Sequence, residues 1–450
     1  MSLETKISQK TAKIGVIGLG YVGLPLAVEY AKAGFSVLGV DNDSEKVNKL
    51  NKGENYIDDV NSKELAEVVK QGKFISEANY DNISSADVIY ICVPTPFTPN
   101  KEPDVTYIED AAQGVLTGLR KDQLIILKST TYPETTEKLL QPILESTGLK
   151  VGKDIFLSFS PERIDPGNKK FTTSNTPVVV GGITKKCTDL TVKVSEKIIS
   201  TVVPLSSPKA AEMTKLLENI FRSVNIALMN ELAQLCDRMG GIDIWEVVEA
   251  AATKPFGYMP FYPGPGIGGH CILVDPYYLS WKAKEYDFHT NFIELAAETN
   301  ENMPYYVLDL IIRSLSMNGG AIANAKFLLL GASFKKNVDD IRNSPALKLM
   351  DLLKMRGAEN LIYNDPWVPV LRRNGTEMNS TELSEGLLQS MDCVIIATDH
   401  DDYDIDFIVK HSKLIIDTRN ATKKAKIKND GKIVRLGCGN SPYLPFHEEH

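Results

Sequence analysis

Two α/β domains joined by a helical segment are what this sequence predicts, and three observations carry that reading. From residue 13 to about 205, short apolar runs alternate with helical patterns, the rhythm of a parallel sheet with crossover helices. The same rhythm returns at about residue 320. Between them runs one long helical pattern, which Gly240-Gly241 stops. A chain of 450 residues is also too long for one ordinary core. The expected divisions are 1–205, 206–318 and 319–450.

In the first stretch the strand candidates are Lys13–Ile17, Ser36–Val40, Val88–Cys92, Leu124–Lys128, Ile155–Phe159 and Pro177–Val180. The helical pattern that follows opens with Ser207 as N-cap and Pro208 as first helical residue. Apolar residues recur through it at helical spacing, from Met213 and Leu216 to Leu232 and Leu235. Such a rod, roughly 48 Å long at 1.5 Å per residue, suits a domain connector or a dimer surface. In the last stretch Lys326–Leu330, Leu361–Tyr363, Cys393–Ala397 and Leu414–Ile416 read as strands, and Ser344-Pro345 opens a helix to Arg356.

Charge and cysteine usage exclude several classes. Lys and Arg number 50 against 58 Asp and Glu, and the net charge of -8 is spread without blocks. That argues against a nucleic-acid surface. Cys92, Cys187, Cys236, Cys271, Cys393 and Cys438 lie far apart with no C-x-x-C pair, so neither a metal site nor a disulfide framework is expected. A reducing cytoplasm fits that usage. No apolar run reaches the ~20 residues of a membrane span, and the N-terminus lacks a signal-peptide layout.

Gly18-Leu19-Gly20-Tyr21-Val22-Gly23 places G-x-G-x-x-G after a strand and at the start of an apolar helix. Gly18 permits the tight turn, Gly20 lets a pyrophosphate approach the helix N-terminus, and Gly23 lets helix and strand pack closely. Asp41 ends the second strand, where an acid accepts from adenine-ribose hydroxyls and repels a 2′-phosphate. NAD is therefore the expected cofactor. The last stretch has no such loop and need not bind a dinucleotide.

A second loop, Gly264-Pro265-Gly266-Ile267-Gly268-Gly269-His270-Cys271, packs four glycines into six residues before a thiol. Cys271 reads either as a small buried hydrophobe or as a nucleophile that a glycine-rich backbone brings to a ligand. Asp275-Pro276 reads as N-cap and first turn of a helix Tyr277–Lys284, or as a carboxylate that orients water or polarises the thiol. Lys215 and Asn219 lie one turn apart on the long helix. With Lys209, Glu212 and Arg222 they read as a solvated face, or as two donors aimed at a developing alkoxide. Val93–Pro96, Lys128–Pro133 and Ser160–Arg163 sit at strand C-terminal ends, the ligand edge of a parallel sheet, and read as exit turns or as site loops. Glu162 is there as a candidate base. Lys335, Lys336, Arg342 and Arg419 follow strands of the last stretch, where cations suit a diphosphate or a solvated surface.

Taken together these segments resemble the UDP-glucose/GDP-mannose dehydrogenase family, over Lys13 to about Arg419 and in the family's order. The resemblance is carried by G-x-G-Y-V-G-L-P (18–25), V-P-T-P (93–96), K-S-T (128–130), S-P-E-R (160–163), K-L-L-E-N (215–219), G-G-H-C (268–271) with Asp275, and F-K-K-N-x-x-D-x-R (334–342). The segment Phe256–Pro263 before the cysteine loop and D-P-Y-Y-L-S-W-K-A-K after it look most like the UDP-N-acetylglucosamine 6-dehydrogenase branch.

The resemblance implies an N-terminal Rossmann-type NAD-binding domain, a central all-helical domain and a C-terminal Rossmann-like domain for the UDP-sugar. It implies a homodimer through the long helix and a four-electron oxidation of the sugar C6 alcohol, consuming two NAD, for surface polysaccharide precursors. Cys271 would capture the aldehyde as a thiohemiacetal that becomes a thioester. Lys215 and Asn219 would hold the oxyanion, Thr130 and Asp275 a water, and Glu162 would act as base. Gly18, Gly20, Tyr21, Val22, Gly23, Asp41, Pro94, Thr95, Thr130 and Arg342 would meet the cofactor. Glu162, Arg163, Lys215, Asn219, Tyr262, Gly264, Gly268, Lys335 and Arg419 would meet the substrate. Two departures stand out. Leu273 replaces the proline many relatives carry, and Arg163-Ile164-Asp165-Pro166-Gly167 lacks the second glutamate of the UDP-glucose branch. The alternatives are UDP-N-acetylmannosamine or UDP-glucose as substrate, and a two-electron hydroxyacid-type dehydrogenase with a structural Cys271.

Overall fold

The computed structural model describes residues 1–440 apart from 58–59, 99, 165–170, 270, 374 and 428–430, and Cys271 without its side chain. His270 and the Asp165–Gly167 departure therefore lie outside the described residues. The chain forms two compact units, Met1–Glu218 with Tyr277–His289 and Asn219–Pro276 with Thr290–His450.

In the first unit eight strands form one sheet: β1 Lys13–Ile17, β2 Ser36–Val40, β3 Phe74–Glu77, β4 Val88–Ile91, β5 Leu124–Leu127, β6 Phe156–Phe159, β7 Val178–Gly182 and β8 Val202–Leu205. Their order is β3-β2-β1-β4-β5-β6-β7-β8, parallel except where β7 meets β6. The first six reproduce the doubly wound dinucleotide order, with its switch point between β1 and β4. β4, β5 and β6 are buried along their whole length, which is why β4 and β5 read as continuous apolar runs, while β6 carries one buried polar residue, Ser158, whose hydroxyl bonds the Cys187 carbonyl. On one face Leu24, Ala27 and Ala31 of the Gly23–Lys32 helix pack with Cys187, Leu190 and Val194 of the Lys185–Ser195 helix. On the other, Ile108, Ala111 and Val115 of the Thr106–Leu116 helix cover Ile89, Ile91 and Ile125. Each fully buried Ile or Leu contributes roughly 1.5–3 kcal/mol relative to exposure.

The second unit carries β9 Lys326–Leu330, β10 Asn360–Asn364, β13 Cys393–Ile396, β14 Ile415–Asp417 and β15 Ile433–Arg435, all parallel in the order β10-β9-β13-β14-β15. The hairpin β11 Val370–Arg373 and β12 Thr376–Asn379 stands apart from that sheet. This is the other common doubly wound order, with its switch point between β9 and β13.

The long helix spans Pro208–Met239, with Ser207 Oγ accepting from the Ala210 N–H at 3.2 Å as expected of its cap. It begins in the first unit and ends in the second. Among the described residues 206–318 the regular structure is helical.

Three expectations change. β3, β8, β11, β12 and β15 lie outside the strands the sequence predicts, because F-I-S-E and V-L-R-R are half polar, T-E-M-N is largely polar, V-V-P-L contains a proline and I-V-R is only three residues long. The helix after the glycine loop starts at Cys271 and runs to Ala283, with Pro276 in its interior. Asp275 is therefore not its N-cap. The 2% exposed Asp275 carboxylate is drawn to the Asn219 amide, which leaves the cap role unfilled by that residue. Finally, the polar side of the long helix is a solvated face only in part: Glu212, Lys215 and Asn219 are buried, while Lys209 is exposed and Arg222 half-buried.

Candidate active site

The glycine loop leaves β1 at Gly18, whose φ is +84° and whose N–H donates to the Val40 carbonyl at 2.8 Å. A Cβ at Gly23 would lie 1.8 Å from the Gly18 carbonyl oxygen, so helix and turn require glycine there. At Gly20 the same Cβ would meet nothing within 4 Å. Val22 precedes the Gly23–Lys32 helix without a side-chain cap. Open space beside uncapped helix N–H groups is what a dinucleotide pyrophosphate needs, and the loop fits NAD. Asp41 braces it from the end of β2. One oxygen takes the Leu19 N–H at 2.9 Å and the other the Asp43 N–H at 3.0 Å. The Tyr56 hydroxyl holds the Leu19 carbonyl at 2.6 Å. Tyr21 is exposed beside them.

Two further loops leave the C-terminal ends of β4 and β5 and are stitched together. Thr95 Oγ1 donates to the Thr130 carbonyl at 2.7 Å, and Ser129 Oγ to the Val93 carbonyl at 2.7 Å. Pro94 is exposed beside Thr95, and Thr130 is half-buried. After β6, Glu162 Oε2 lies 3.2 Å from the buried Lys128 ammonium, and Oε1 accepts the N–H groups of Arg163 and Ile164 at 2.8 and 3.0 Å. Burial pushes the Glu162 carboxyl up, but Lys128 and the two N–H groups outweigh it and hold the group below the ordinary carboxylate value. It is ionised at neutral pH and a weak proton acceptor. Arg163 pairs with Glu218 at 2.6 Å. Lys215 is buried on the long helix in this unit.

In the second unit the buried Asn219 amide donates through Nδ2 to Asp275 Oδ2 and accepts through Oδ1 from the Arg222 guanidinium. Asp275 stands one turn after Cys271 on the same helix, so both share a helical face. The glycine loop before it is held from behind. Gly264 N–H donates to Asn230 Oδ1 at 2.9 Å, and Asn230 Nδ2 donates to Asn300 at 2.9 Å. Gly264 admits Arg419, whose Nη1 would lie 2.7 Å from a Cβ there, and Gly268 faces Phe334, next to Lys335. The Arg419 Nε–H donates to the Ala397 carbonyl at 2.9 Å. Burial lowers the Arg419 pKa from its ordinary value, with Asp399 and Asp417 opposing, and the guanidinium stays charged. Arg342 pairs with Asp340 at 2.7 Å, and its carbonyl accepts from Gly269 N–H at 2.9 Å. Tyr262 stacks on Trp245 with ring centroids 5.6 Å apart.

Sequence reasoning missed Asp365 and His400. Asp365, just after β10, accepts the N–H groups of Ala332 and Ser333 at 2.7 and 3.0 Å and those of Trp367 and Val368 at 2.8 and 3.1 Å. His400 Nδ1 accepts from the Asn337 N–H at 3.0 Å, which places the ring proton on Nε2, 3.2 Å from Asp365. The readable signal was an acid after an apolar strand, the pattern that flagged Asp41.

Among the described residues no cluster of His, Cys, Asp and Glu is arranged to hold a metal, and no helix is long and apolar enough to cross a membrane. One sheet with a dinucleotide loop and a second with cations at its ligand edge define a nucleotide-dependent oxidoreductase. The family comparison agrees. The descriptions "UDP-glucose/GDP-mannose dehydrogenase family, NAD binding domain", "central domain" and "UDP binding domain" match residues 12–199, 209–302 and 328–424. A UDP-N-acetyl-D-mannosamine dehydrogenase of Methanococcus vannielii is 34% identical, covering 96% of this chain and 98% of that one. A UDP-N-acetyl-D-glucosamine 6-dehydrogenase of Pseudomonas aeruginosa is 37% identical, covering 80% and 84%. The solved structure of a UDP-D-ManNAc dehydrogenase from Pyrococcus horikoshii superposes with a TM-score of 0.86 at 32% identity, covering 95% and 100%. The chain belongs to the UDP-glucose/GDP-mannose dehydrogenase family, and it is an NAD-dependent oxidoreductase acting on nucleotide sugars.

Proposed function

We propose that the protein oxidises the C6 alcohol of a UDP-N-acetylhexosamine, UDP-N-acetylglucosamine in the first place, to the uronic acid. The observation that carries the reading is the buried Asn219–Asp275 pair, one helical turn from Cys271. A buried amide and carboxylate one turn along the helix from a cysteine are groups that a covalent mechanism can use to hold an oxyanion and a water.

NAD, held by the Gly18–Gly23 loop, Asp41 and the Thr95 and Thr130 loops, supplies the hydride acceptor. The Lys215 ammonium and the Asn219 amide stabilise the charge that develops on the sugar oxygen. Cys271 Sγ adds to the aldehyde carbon and gives a thiohemiacetal. Loss of a second hydride, to a second NAD, would turn the thiohemiacetal into a thioester, and water positioned by Thr130 and Asp275 cleaves that bond, releasing the acid and restoring the thiol. Glu162 is ionised and takes the water's proton, with Lys128 limiting how strongly. Lys335, Arg419, Tyr262, Arg163 and the Gly264 and Gly268 backbone are assigned to the UDP-sugar, and Arg342 to the cofactor.

The P. aeruginosa relative and one from Salmonella typhi at 36% identity support N-acetylglucosamine. The second reading, UDP-N-acetylmannosamine, is favoured by relatives of that name that cover more of the chain. A homodimer is supported by Leu217, Phe221, Leu228 and Leu235, which the long helix leaves exposed at spacings of four and seven residues. Work in the cytoplasm, for polysaccharide precursors, fits the buried thiols of the five described cysteines.

A panel of UDP-sugars followed by NADH formation tests the substrate. N-acetylglucosamine is expected to give the highest kcat/KM, and preference for the mannosamine epimer would transfer the assignment to the second reading. Cys271→Ser is expected to bind NAD normally yet stall before acid release. Undiminished acid production would remove the thiol from the chemistry.

A further inference from the structure

The turn after β5 holds a residue in a conformation it does not favour. Glu134 has φ of +82°, in the left-handed region where glycine is at home. A side chain persists there when its surroundings over-determine it. The buried Glu134 carboxylate gathers the ammonium groups of Lys138, Lys282 and Lys209 at 2.6, 3.0 and 3.3 Å and the Tyr286 hydroxyl at 2.6 Å. Its backbone N–H donates to the buried Glu212 carboxylate at 2.7 Å, which also takes the Thr136 N–H at 3.0 Å. Burial opposes ionisation of Glu134, but the three lysines and the tyrosine outweigh it and hold the carboxyl below its ordinary value.

These partners come from elements far apart in sequence. Lys209 and Glu212 open the long helix, while Lys282 and Tyr286 close the stretch that begins at Tyr277. That same stretch reaches the two stitched loops: the Tyr278 hydroxyl donates to the Thr95 and Pro96 carbonyls, and the Trp281 ring lies 5.0 Å from that of Tyr132.

We propose that Glu134 is a positioning residue for the cofactor. By tying Lys282 and Tyr286 to the turn after β5, it fixes the Ser129–Tyr132 backbone against the Val93–Pro96 loop and so sets where Thr130 meets NAD. The proposal rests on the assignment of Thr130 to the cofactor site.

The test is NAD affinity of the full-length protein without sugar, by titration calorimetry, for Glu134→Gly, Lys282→Met and Thr130→Val, with unfolding midpoints alongside. Glycine relieves the left-handed strain and offsets part of the lost ion pairing, so Glu134→Gly, assayed well below its own unfolding midpoint, is expected to bind NAD about tenfold more weakly than the wild type. Lys282→Met, which keeps the stem and removes the charge, is expected to show the same loss and serves if the glycine variant fails to fold. Wild-type affinity in both, with Thr130→Val weakened, overturns the positioning role and leaves the Thr130 assignment standing. Wild-type affinity in Thr130→Val overturns that assignment and the proposal with it.

Discussion

The β1–β2 and β9–β10 regions share one construction and differ in what is left over for a ligand. In each, a glycine with φ of +84° follows the first strand, Gly18 or Gly331. Each presses on the chain just past the strand across the switch point: a Cβ at Gly18 would lie 2.7 Å from the carbonyl oxygen of Cys92, the first residue after β4, and one at Gly331 2.4 Å from Cβ of Thr398, the second after β13. In each, an aspartate after the neighbouring strand accepts N–H groups from that first loop. Asp41 accepts one N–H on each oxygen. Asp365 receives four N–H groups, stands beside His400, and its side chain is fully buried. The first acid keeps accepting capacity for a ribose and the second has none. The same architecture therefore makes a dinucleotide site in one sheet, and in the other leaves no free acceptor on the equivalent acid, in keeping with the proposal that side chains such as Lys335 and Arg419 meet the ligand there.

Asp365→Ala, which strips a buried network of its only carboxylate, is expected to cost about 3–5 kcal/mol of stability in denaturant unfolding. A variant that unfolds like the wild type but binds UDP poorly would make Asp365 a ligand residue and break the comparison. The same acid sets a pH limit. Burial raises the Asp365 carboxyl, but His400 and the N–H groups outweigh it and the folded value lies below the ordinary one near 3.9. A depressed acid stabilises fully above its unfolded pKa, and that contribution disappears as pH falls through the folded value. Acid titration followed by circular dichroism is expected to show the wild type losing this margin below about pH 4, and Asp365→Asn to show none there to lose.

Asp41→Asn is expected to act the other way round, losing about 1 kcal/mol of stability but about tenfold in NAD affinity, read by calorimetry. A large fall in stability without a change in affinity would make the two acids equivalent. The smallest effect concerns Glu162. Lys128→Met removes the charge that keeps its carboxyl low, so the acid limb of the kcat/KM profile is expected to move to higher pH. An unmoved limb would assign that limb to another group.

The glycine loop was legible because its residues are dictated locally: Gly18 by φ, Gly23 by a contact five residues away. β1, β2 and β9 were legible as uninterrupted apolar runs. The start of the Cys271–Ala283 helix was not, since Asp275-Pro276 carries a strong local N-terminus pattern that a contact with Asn219, 56 residues away, overrides. Asp365 carried a signal, an acid after an apolar strand, but its pairing with His400, 35 residues away, carried none. Glu134 was invisible because a left-handed glutamate has no composition signature.

The central claim is that Cys271 holds one carbon between two oxidations. Counting NADH formed per UDP-sugar consumed, with the sugar product identified by mass, tests it most directly. The account predicts two NADH and a uronic acid for every sugar. One NADH with a released aldehyde or ketone would contradict it.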